Sequence, residues 1–99
     1  MSEYKVIGLM SGTSLDGLDI AHCLFRYDNQ KWRFEITHAT TIEYDQLLRQ
    51  QLSDAPDMNA LELATLDQRF GSYCGAMAKT FIREHALQPD FIASHGHTI

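Results

Sequence analysis

The sequence predicts an α/β domain in which a three-stranded antiparallel meander is followed by helices and then by a parallel strand. Apolar and polar residues alternate through much of the first 44 positions, as in strands with one buried face. Between residues 45 and 86 apolar residues recur at helical spacing, and a short apolar segment follows. A strand after a helix usually lies parallel to an earlier strand, and α/β sheets bind ligands at the carboxyl ends of such strands.

Three strands are predicted at residues 4–11, 18–27 and 32–44, with turns at 12–17 and 28–31. The first strand is apolar on both sides beyond Lys5, which is typical of a central strand covered on both faces. On the second strand, alternation places four residues on one face: Leu18, Ile20, His22 and Leu24. On the third strand, one face carries Trp32, Phe34, Ile36 and His38, and the wetter face carries Arg33, Glu35 and Thr37.

Two helices and a last strand follow. A short helix is predicted at 45–52 with Leu47, Leu48 and Leu52 inward, and the stretch 53–57 breaks it. Asn59 and Glu62 form a capping box that starts a long helix ending near Ala86. Its predicted buried stripe consists of Leu63, Leu66, Phe70, Tyr73, Met77 and Phe81. The last strand is predicted at 91–94 and runs into a glycine-containing loop.

Two glycines inside the long helix are unexpected, since glycine costs a helix up to about 1 kcal/mol relative to alanine. Gly71 and Gly75 lie four residues apart and therefore share one face of the helix. We expect them to permit a close approach to the sheet or to the first turn, the alternative being local tolerance of glycine near a bend.

Composition excludes several classes of function. The 99 residues carry a net charge of −5, and their eight basic residues are scattered, so no nucleic-acid partner is expected. There is no apolar run of about 18 residues, so no membrane partner is expected either. The N-terminal residues do not resemble a signal peptide, which indicates a cytoplasmic protein with Cys23 and Cys74 reduced.

The predicted order of elements stops on a polar loop just after a strand, and nothing follows to cover the second face of the sheet. We therefore expect an incomplete domain that is the N-terminal piece of a longer enzyme.

The segment "LMSGTSLDGLD" places a turn rich in small hydroxyl residues directly after the first strand. Asp16-Gly17 alone would suit a plain hairpin. The turn is longer than chain reversal needs, however, and it gathers Ser11, Thr13 and Ser14 beside Gly12. Glycine can take the positive φ that directs successive amides into one hollow, and such a hollow attracts phosphate.

The turn is neither of the common nucleotide-binding motifs. A Walker loop needs a lysine that is absent here, and a dinucleotide-binding loop needs a helix after it, where a strand is predicted. A phosphate-binding hairpin ahead of an antiparallel meander indicates instead the ribonuclease H-like, actin-like ATPase fold that actin, hexokinase and Hsp70 share.

The motif "GLMSGTSLDGLD", with "LATLDQRFG" and "ASHGHTI" further on, resembles the N-terminal part of the anhydro-N-acetylmuramic acid kinase family over the whole chain. The resemblance implies a bacterial enzyme of peptidoglycan recycling that uses ATP with Mg²⁺. Such enzymes open the anhydro ring of 1,6-anhydro-N-acetylmuramic acid with water and phosphorylate O6, giving N-acetylmuramic acid 6-phosphate. It also implies that residues 1–99 are the N-terminal part of the first actin-like ATPase domain, with the second domain absent from this chain, and that the full-length protein is a homodimer.

The resemblance implies roles for individual residues. The ATP-phosphate loop would comprise Gly12, Thr13, Ser14, Leu15, Asp16, Gly17, Leu18 and Asp19. Many members of the wider superfamily hold hydrated magnesium with an aspartate two residues before the loop glycine, where this chain has Met10. Asp16 or Asp19 is therefore the candidate contact to Mg²⁺ through water. The alternatives are a turn residue bonding its own backbone for Asp16 and a buried structural acid for Asp19.

His95 and His97 are two residues apart, so on a regular strand they would share a face, as zinc ligands do. Two ligands do not make a metal site, and no metal is firmly assigned. The resemblance implies that this loop lines the substrate cleft, where either histidine would bond sugar or phosphate; the alternative is a loop-stabilising role. His22, His38 and His85 read as ordinary structural histidines. The catalytic base is expected beyond residue 99 and is unknown here.

Two other classes of function remain open at this point. One is a non-catalytic small module that binds an anion or a nucleotide, and the other is a purely structural α/β domain. If the chain is a kinase fragment, the 99 residues alone should be inactive, since one wall of the ATP cleft is missing.

Overall fold

Four strands form one mixed sheet, with two helices packed beside it, in the computed structural model, which describes residues 2–12 and 14–97. The elements are β1 (Ser2–Ser11), β2 (Gly17–Asp28), β3 (Lys31–Glu43), α1 (Gln46–Asp54), a 3₁₀ turn (Ala55–Asp57), α2 (Ala60–Glu84) and β4 (Phe91–His97). The strand order is β3-β2-β1-β4. The first three strands are antiparallel, and β4 lies parallel to β1, which confirms the predicted α/β class and the meander.

A tight hairpin turn and the alternating burial of side chains determine the meander. Asn29 and Gln30 have φ values of 51° and 61°, the left-handed pair that a two-residue hairpin with twisted strands requires. On β2 the four residues predicted to share one face turn toward the core: Leu18 and Ile20 are each 1% exposed, His22 is buried, and Leu24 is partly buried.

The third strand departs from simple alternation at one residue. His22 pairs with His38, but the next residue, Cys23, pairs with Ile36, so Thr37 is an extra residue on β3. Such a bulge reverses the faces beyond it. The prediction that His38 shares a face with Ile36 is therefore wrong. His38 instead points with His22 toward the end of α2, where its ring lies 4.7 Å from that of His85.

β1 is central, as predicted, but within the described residues only one of its faces is covered along its length, and the other is covered in part. Ile7 and Leu9 are buried in the core that the helices complete. On the other face Val6 is buried, whereas Met10 is 49% exposed. The prediction of a strand covered on both faces is thus wrong for this part of the chain, because the core helices pack on the face of Ile7.

The short helix begins where its cap predicts. The Asp45 carboxylate accepts a hydrogen bond from the Leu48 amide at 2.7 Å and so satisfies one of the free amides of the first turn. Leu48 and Leu52, one helical turn apart, are buried. Leu47 was predicted to point inward as well, but it is 69% exposed, because it lies about a quarter of a turn away from that face.

The long helix confirms its predicted capping box. Asn59 accepts from the Glu62 amide at 2.8 Å, and Glu62 accepts from the Asn59 amide at 3.2 Å. Along the predicted stripe, three residues are buried and three are partly buried against the core. The first group is Leu66, Phe70 and Phe81, and the second is Leu63, Tyr73 and Met77. The helix ends at Glu84, and Ala86 beyond it takes a positive φ of 51°.

Gly71 and Gly75 do not mediate a close approach, contrary to the prediction. A Cβ built on either meets no atom within 4 Å among the described residues. The face of α2 that meets the core is the neighbouring one, on which Cys74 and Ala78 are buried.

Cys23 and Cys74 are both free thiols, as predicted. No helix in the described ranges is long and apolar enough to span a membrane.

Gly17 supports a direct test of the fold, since a Cβ there would clash with the Ile42 carbonyl oxygen and lie 2.9 Å from its carbon. Both atoms belong to the backbone of β3 and cannot rotate away. Gly17→Ala is therefore expected to lower the free energy of unfolding by about 1–3 kcal/mol or more, the usual cost of overpacking, measured by urea unfolding.

The matched control is Gly71→Ala, the same chemical change in open space. It should leave stability unchanged or raise it by up to about 1 kcal/mol, because alanine is the better helix former. Equal effects of the two substitutions would contradict the close approach at Gly17.

His22 makes stability depend on pH. Burial, and then the nearby His38 and Lys5, hold the pKa of His22 below its ordinary value of 6.5. The stability contributed by neutral His22 is therefore complete above pH 6.5 and is lost as the pH falls, because the unfolded chain takes up the proton more readily. Measured by urea unfolding between pH 7.5 and about 5, the free energy of unfolding should fall less steeply for His22→Gln than for the parent. His95→Gln, the same substitution at an exposed histidine, is the control variant.

Candidate functional site

The first candidate site is the turn that joins β1 to β2. Ser11 pairs with Leu18 across the ladder, so the turn spans residues 12–17. The Leu15 amide donates to the Gly12 carbonyl at 3.2 Å, and the Tyr44 amide donates to the Asp16 carbonyl at 3.4 Å. The positive φ expected at glycine falls on Leu15 instead, at 59°. Thr13, a predicted phosphate contact, lies outside the described residues.

The amides of this turn are only partly used by the protein itself. Among the described residues, the Leu15 amide has a backbone acceptor, whereas no acceptor is found for the amides of Gly12 and Ser14. A Cβ on Gly12 would meet only the Ser14 hydroxyl, at an ordinary 3.7 Å, so the surface above Gly12 is open. Free amides at a strand end, beside an exposed serine, are the donors that an anion needs.

The predicted phosphate loop divides into two groups in the structure. Gly12, Ser14 and Asp16 lie in the turn with at least part of their surface open to solvent. Gly17 and Leu18 belong to β2, where their backbones pair with β3, and the Leu18 side chain is 1% exposed in the core. The Leu15 side chain also packs against the core. The close packing at Gly17 and the side chains of Leu15 and Leu18 therefore stabilise the hairpin. The hydrogen-bond donors that remain open to solvent are those of Gly12 and Ser14.

Asp19 lies on the open face of the sheet, directly across the ladder from Met10. It is exposed, so the alternative of a buried structural acid is wrong. Its Oδ1 accepts from the Thr41 hydroxyl at 2.5 Å. Around Asp19, a shallow hollow of about 410 Å³ is lined by residues of β1, β2 and β4, including Gly8, Met10 and His95.

His95 and His97 do not share a face, contrary to the prediction. Leu9 pairs with Ser94 but Ser11 pairs with His97, so β4 has one residue more than β1 between these pairs. Gly96, with a φ of 75°, takes up the extra residue, as glycine does in a bulge. His95 consequently lies in the hollow beside Asp19, while His97 faces the helices. Within the described residues, no group of three or more side chains could hold a metal ion.

His97 ends a buried chain of hydrogen bonds that the sequence does not reveal. The Tyr44 hydroxyl donates to Ser11 Oγ at 2.5 Å, and Ser11 Oγ lies 2.8 Å from His97 Nδ1. Ser11 and Tyr44 are 3% and 4% exposed. Burial raises the pKa of Tyr44, so the phenol remains a donor at neutral pH. A hint existed in the sequence, since Ser11 is a hydroxyl at an inward position of an apolar strand, but Tyr44 as its partner required the third strand's register.

A second cavity, of about 460 Å³, lies on the helix side of His97. Its walls are mainly apolar and come from the end of α1, the first half of α2 and the end of β4; they include Leu52, Leu63 and Phe70. Asp67 and His97 are its ionisable side chains. The carboxyl end of β4 therefore lies between two hollows, one on each face of the sheet.

The structure is thus an α/β domain with a hollow on each face of the sheet at the carboxyl ends of its parallel strands. Comparison with known proteins identifies the family. The family model for anhydro-N-acetylmuramic acid kinase matches residues 4–99, and the chain belongs to that family. This confirms the resemblance of the hairpin and "SHGHTI" motifs.

Curated relatives agree. An anhydro-N-acetylmuramic acid kinase of Francisella tularensis subsp. novicida is 37% identical over 106 residues, covering 100% of this chain and 28% of the relative. The enzyme of the same name from Pseudoalteromonas translucida is 34% identical, covering 95% of this chain and 25% of the relative. One from a Picosynechococcus strain is 35% identical, covering 96% and 26%. The chain thus spans about a quarter of the length of the curated relatives it matches.

Proposed function

We propose that this chain is the ATP-phosphate-binding part of a kinase that acts on 1,6-anhydro-N-acetylmuramic acid. The full-length enzyme would open the anhydro ring with water and transfer a phosphoryl group to O6. Membership of the family supports the reaction, and the relatives named above carry that enzyme name. The observation that supports the role of this chain is the open turn after β1, in which no acceptor is found among the described residues for the amides of Gly12 and Ser14.

The proposed architecture follows from the same features. A mixed sheet with a parallel fourth strand is consistent with the N-terminal part of an actin-like ATPase domain. Residues 1–99 would be one part of the first domain, and a second domain would close the cleft over the hairpin. We also propose that the full-length protein is cytoplasmic and forms a homodimer.

The turn would hold the phosphate chain by electrostatic positioning. The amides of Gly12 and Ser14 would donate to phosphate oxygens, and the Ser14 hydroxyl, which is exposed, would add a third donor. Donors held by the β1–β2 ladder need little reorganisation when charge develops in the transition state, which is how a rigid site accelerates phosphoryl transfer. Burial of Leu18 and the close packing at Gly17 keep the turn in place.

Asp19 fits the role of a water-mediated contact to Mg²⁺ better than Asp16. Its carboxylate is exposed, is oriented by Thr41 and lies opposite Met10, the position at which the wider superfamily has its aspartate. Asp16 belongs to the turn itself, and within the described ranges no hydrogen bond is found for its carboxylate. When bound with ATP, Mg²⁺ would neutralise phosphate charge.

The experiment that tests the hairpin is Gly12→Val in the full-length protein. The added side chain covers the amides but meets open space, so folding should be retained. Calorimetric titration with a non-hydrolysable ATP analogue and Mg²⁺ should show a loss of affinity of about 10-fold or more, as expected when charge-assisted hydrogen bonds of about 1.5–3 kcal/mol are lost.

Gly75→Ala serves as the control, because it also enlarges a glycine on open surface but lies in α2. It should leave the affinity unchanged. An unaltered affinity in Gly12→Val would overturn the role of the turn. Nucleotide binding by the full-length protein without any turnover on the anhydro sugar would favour a non-catalytic binding module instead.

The magnesium contact is tested by comparing Asp19→Asn with Asp16→Asn in full-length enzyme. Asparagine at position 19 can still accept from Thr41, so the local fold is kept. We expect Asp19→Asn to raise the Mg²⁺ concentration for half-maximal rate about 10-fold or more, since a carboxylate near the ion is lost. Asp16→Asn should change it by less than about 3-fold. The reverse order would assign the contact to Asp16.

A further inference from the structure

The direction of the buried hydrogen-bond chain follows from counting its hydrogens. Tyr44 and Ser11 each have one hydroxyl hydrogen. If Ser11 donated to Tyr44, the buried phenol hydrogen would have no acceptor among the described residues, which would cost about 1–3 kcal/mol. The phenol therefore donates to Ser11 Oγ, and the Ser11 hydrogen is left for the group 2.8 Å away, His97 Nδ1.

This direction determines the tautomer of His97. A nitrogen that accepts from Ser11 carries no hydrogen, so in the neutral ring the hydrogen must be on Nε2. Nε2 points away from Ser11, and the His97 ring lines the cavity between α1, α2 and β4, edge-on to Phe70 at 6.1 Å. Within the described residues, the one hydrogen bond found for the His97 ring is that between Nδ1 and Ser11.

We propose that Tyr44 and Ser11 are positioning residues that select the Nε2–H tautomer of His97 and direct this donor into the cavity. His97 would then present one donor, in a fixed direction, to an oxygen acceptor of a bound molecule, such as a hydroxyl, a carbonyl or a phosphate oxygen. The mainly apolar walls lower the local dielectric constant, which strengthens such a bond. The nature of the bound molecule rests on the proposed function, whereas the tautomer does not.

Fixing the tautomer is useful because a free imidazole samples both neutral forms. In the other form Nε2 would be an acceptor and would repel the same ligand oxygen. The chain of bonds therefore selects against a competing state, a role that a merely space-filling tyrosine would not have. It also links the foot of the hairpin, at Ser11, to the end of β4, at His97.

The test is the ¹⁵N spectrum of histidine-labelled full-length protein without ligand, with His97 assigned through His97→Gln. Wild-type His97 should show Nδ1 at the shift of an unprotonated ring nitrogen and Nε2 at that of a protonated one. In Tyr44→Phe the Ser11 hydroxyl is free to reverse, so both nitrogen shifts should move toward their mean. Ser11→Ala should produce the same or a larger movement.

Tyr73→Phe is the matched control, because the Tyr73 ring packs against that of Tyr44, 5.8 Å away, outside the chain of bonds. It should leave the His97 shifts unchanged, and His95, on the other face, should be unaffected in every variant. Wild-type His97 protonated on Nδ1 would overturn the proposal without any variant. Shifts that are identical in wild type, Tyr44→Phe and Ser11→Ala would overturn it as well. Failure of the kinase proposal would appear in the nucleotide titrations and would leave these spectra unchanged.

Discussion

The pairing of the last residues of β1 with a strand on each side is the constraint on which the rest of the site depends. The antiparallel ladder to β2 sets Met10 against Asp19 and Ser11 against Leu18. The parallel ladder to β4 brings His97 to Ser11. One strand end therefore positions the turn, the acidic side chain on the open face and the hydrogen-bond chain on the helix face. A slip of one residue in the first ladder would turn Asp19 to the helix face, and a slip in the second would separate His97 from Ser11.

Two bulges then direct individual side chains within this frame. The extra residue at Thr37 turns His38 toward α2, and the extra residue at Gly96 sends His95 and His97 to opposite faces. Strand bulges often adjust side chains beside functional sites. In this chain the Gly96 bulge gives each face of the sheet one histidine at the carboxyl end of β4, so the "SHGHTI" motif contributes to two hollows rather than one.

Much of the fold was predictable, because its causes are local. Alternation along β2, the helical spacing from Leu66 to Phe81 and the capping box at Asn59 all depend on residues close in sequence, and the structure confirms them. The bulges were not predictable, since an extra residue is defined only against a partner strand far away in the chain. The pairing of Tyr44 with Ser11 was missed for the same reason, because the two residues are 33 positions apart. The expected close contact at Gly71 failed because the spacing of two glycines does not say which helix face meets the sheet.

The central claim is that backbone amides after β1 bind the phosphates of ATP. A crystal structure of the full-length protein with a non-hydrolysable ATP analogue and Mg²⁺ tests it most directly. We expect phosphate oxygens within about 3 Å of the amide nitrogens of Gly12 and Ser14, the ordinary length of such a hydrogen bond. A nucleotide bound elsewhere, with those amides facing only solvent or protein carbonyls, would contradict the claim.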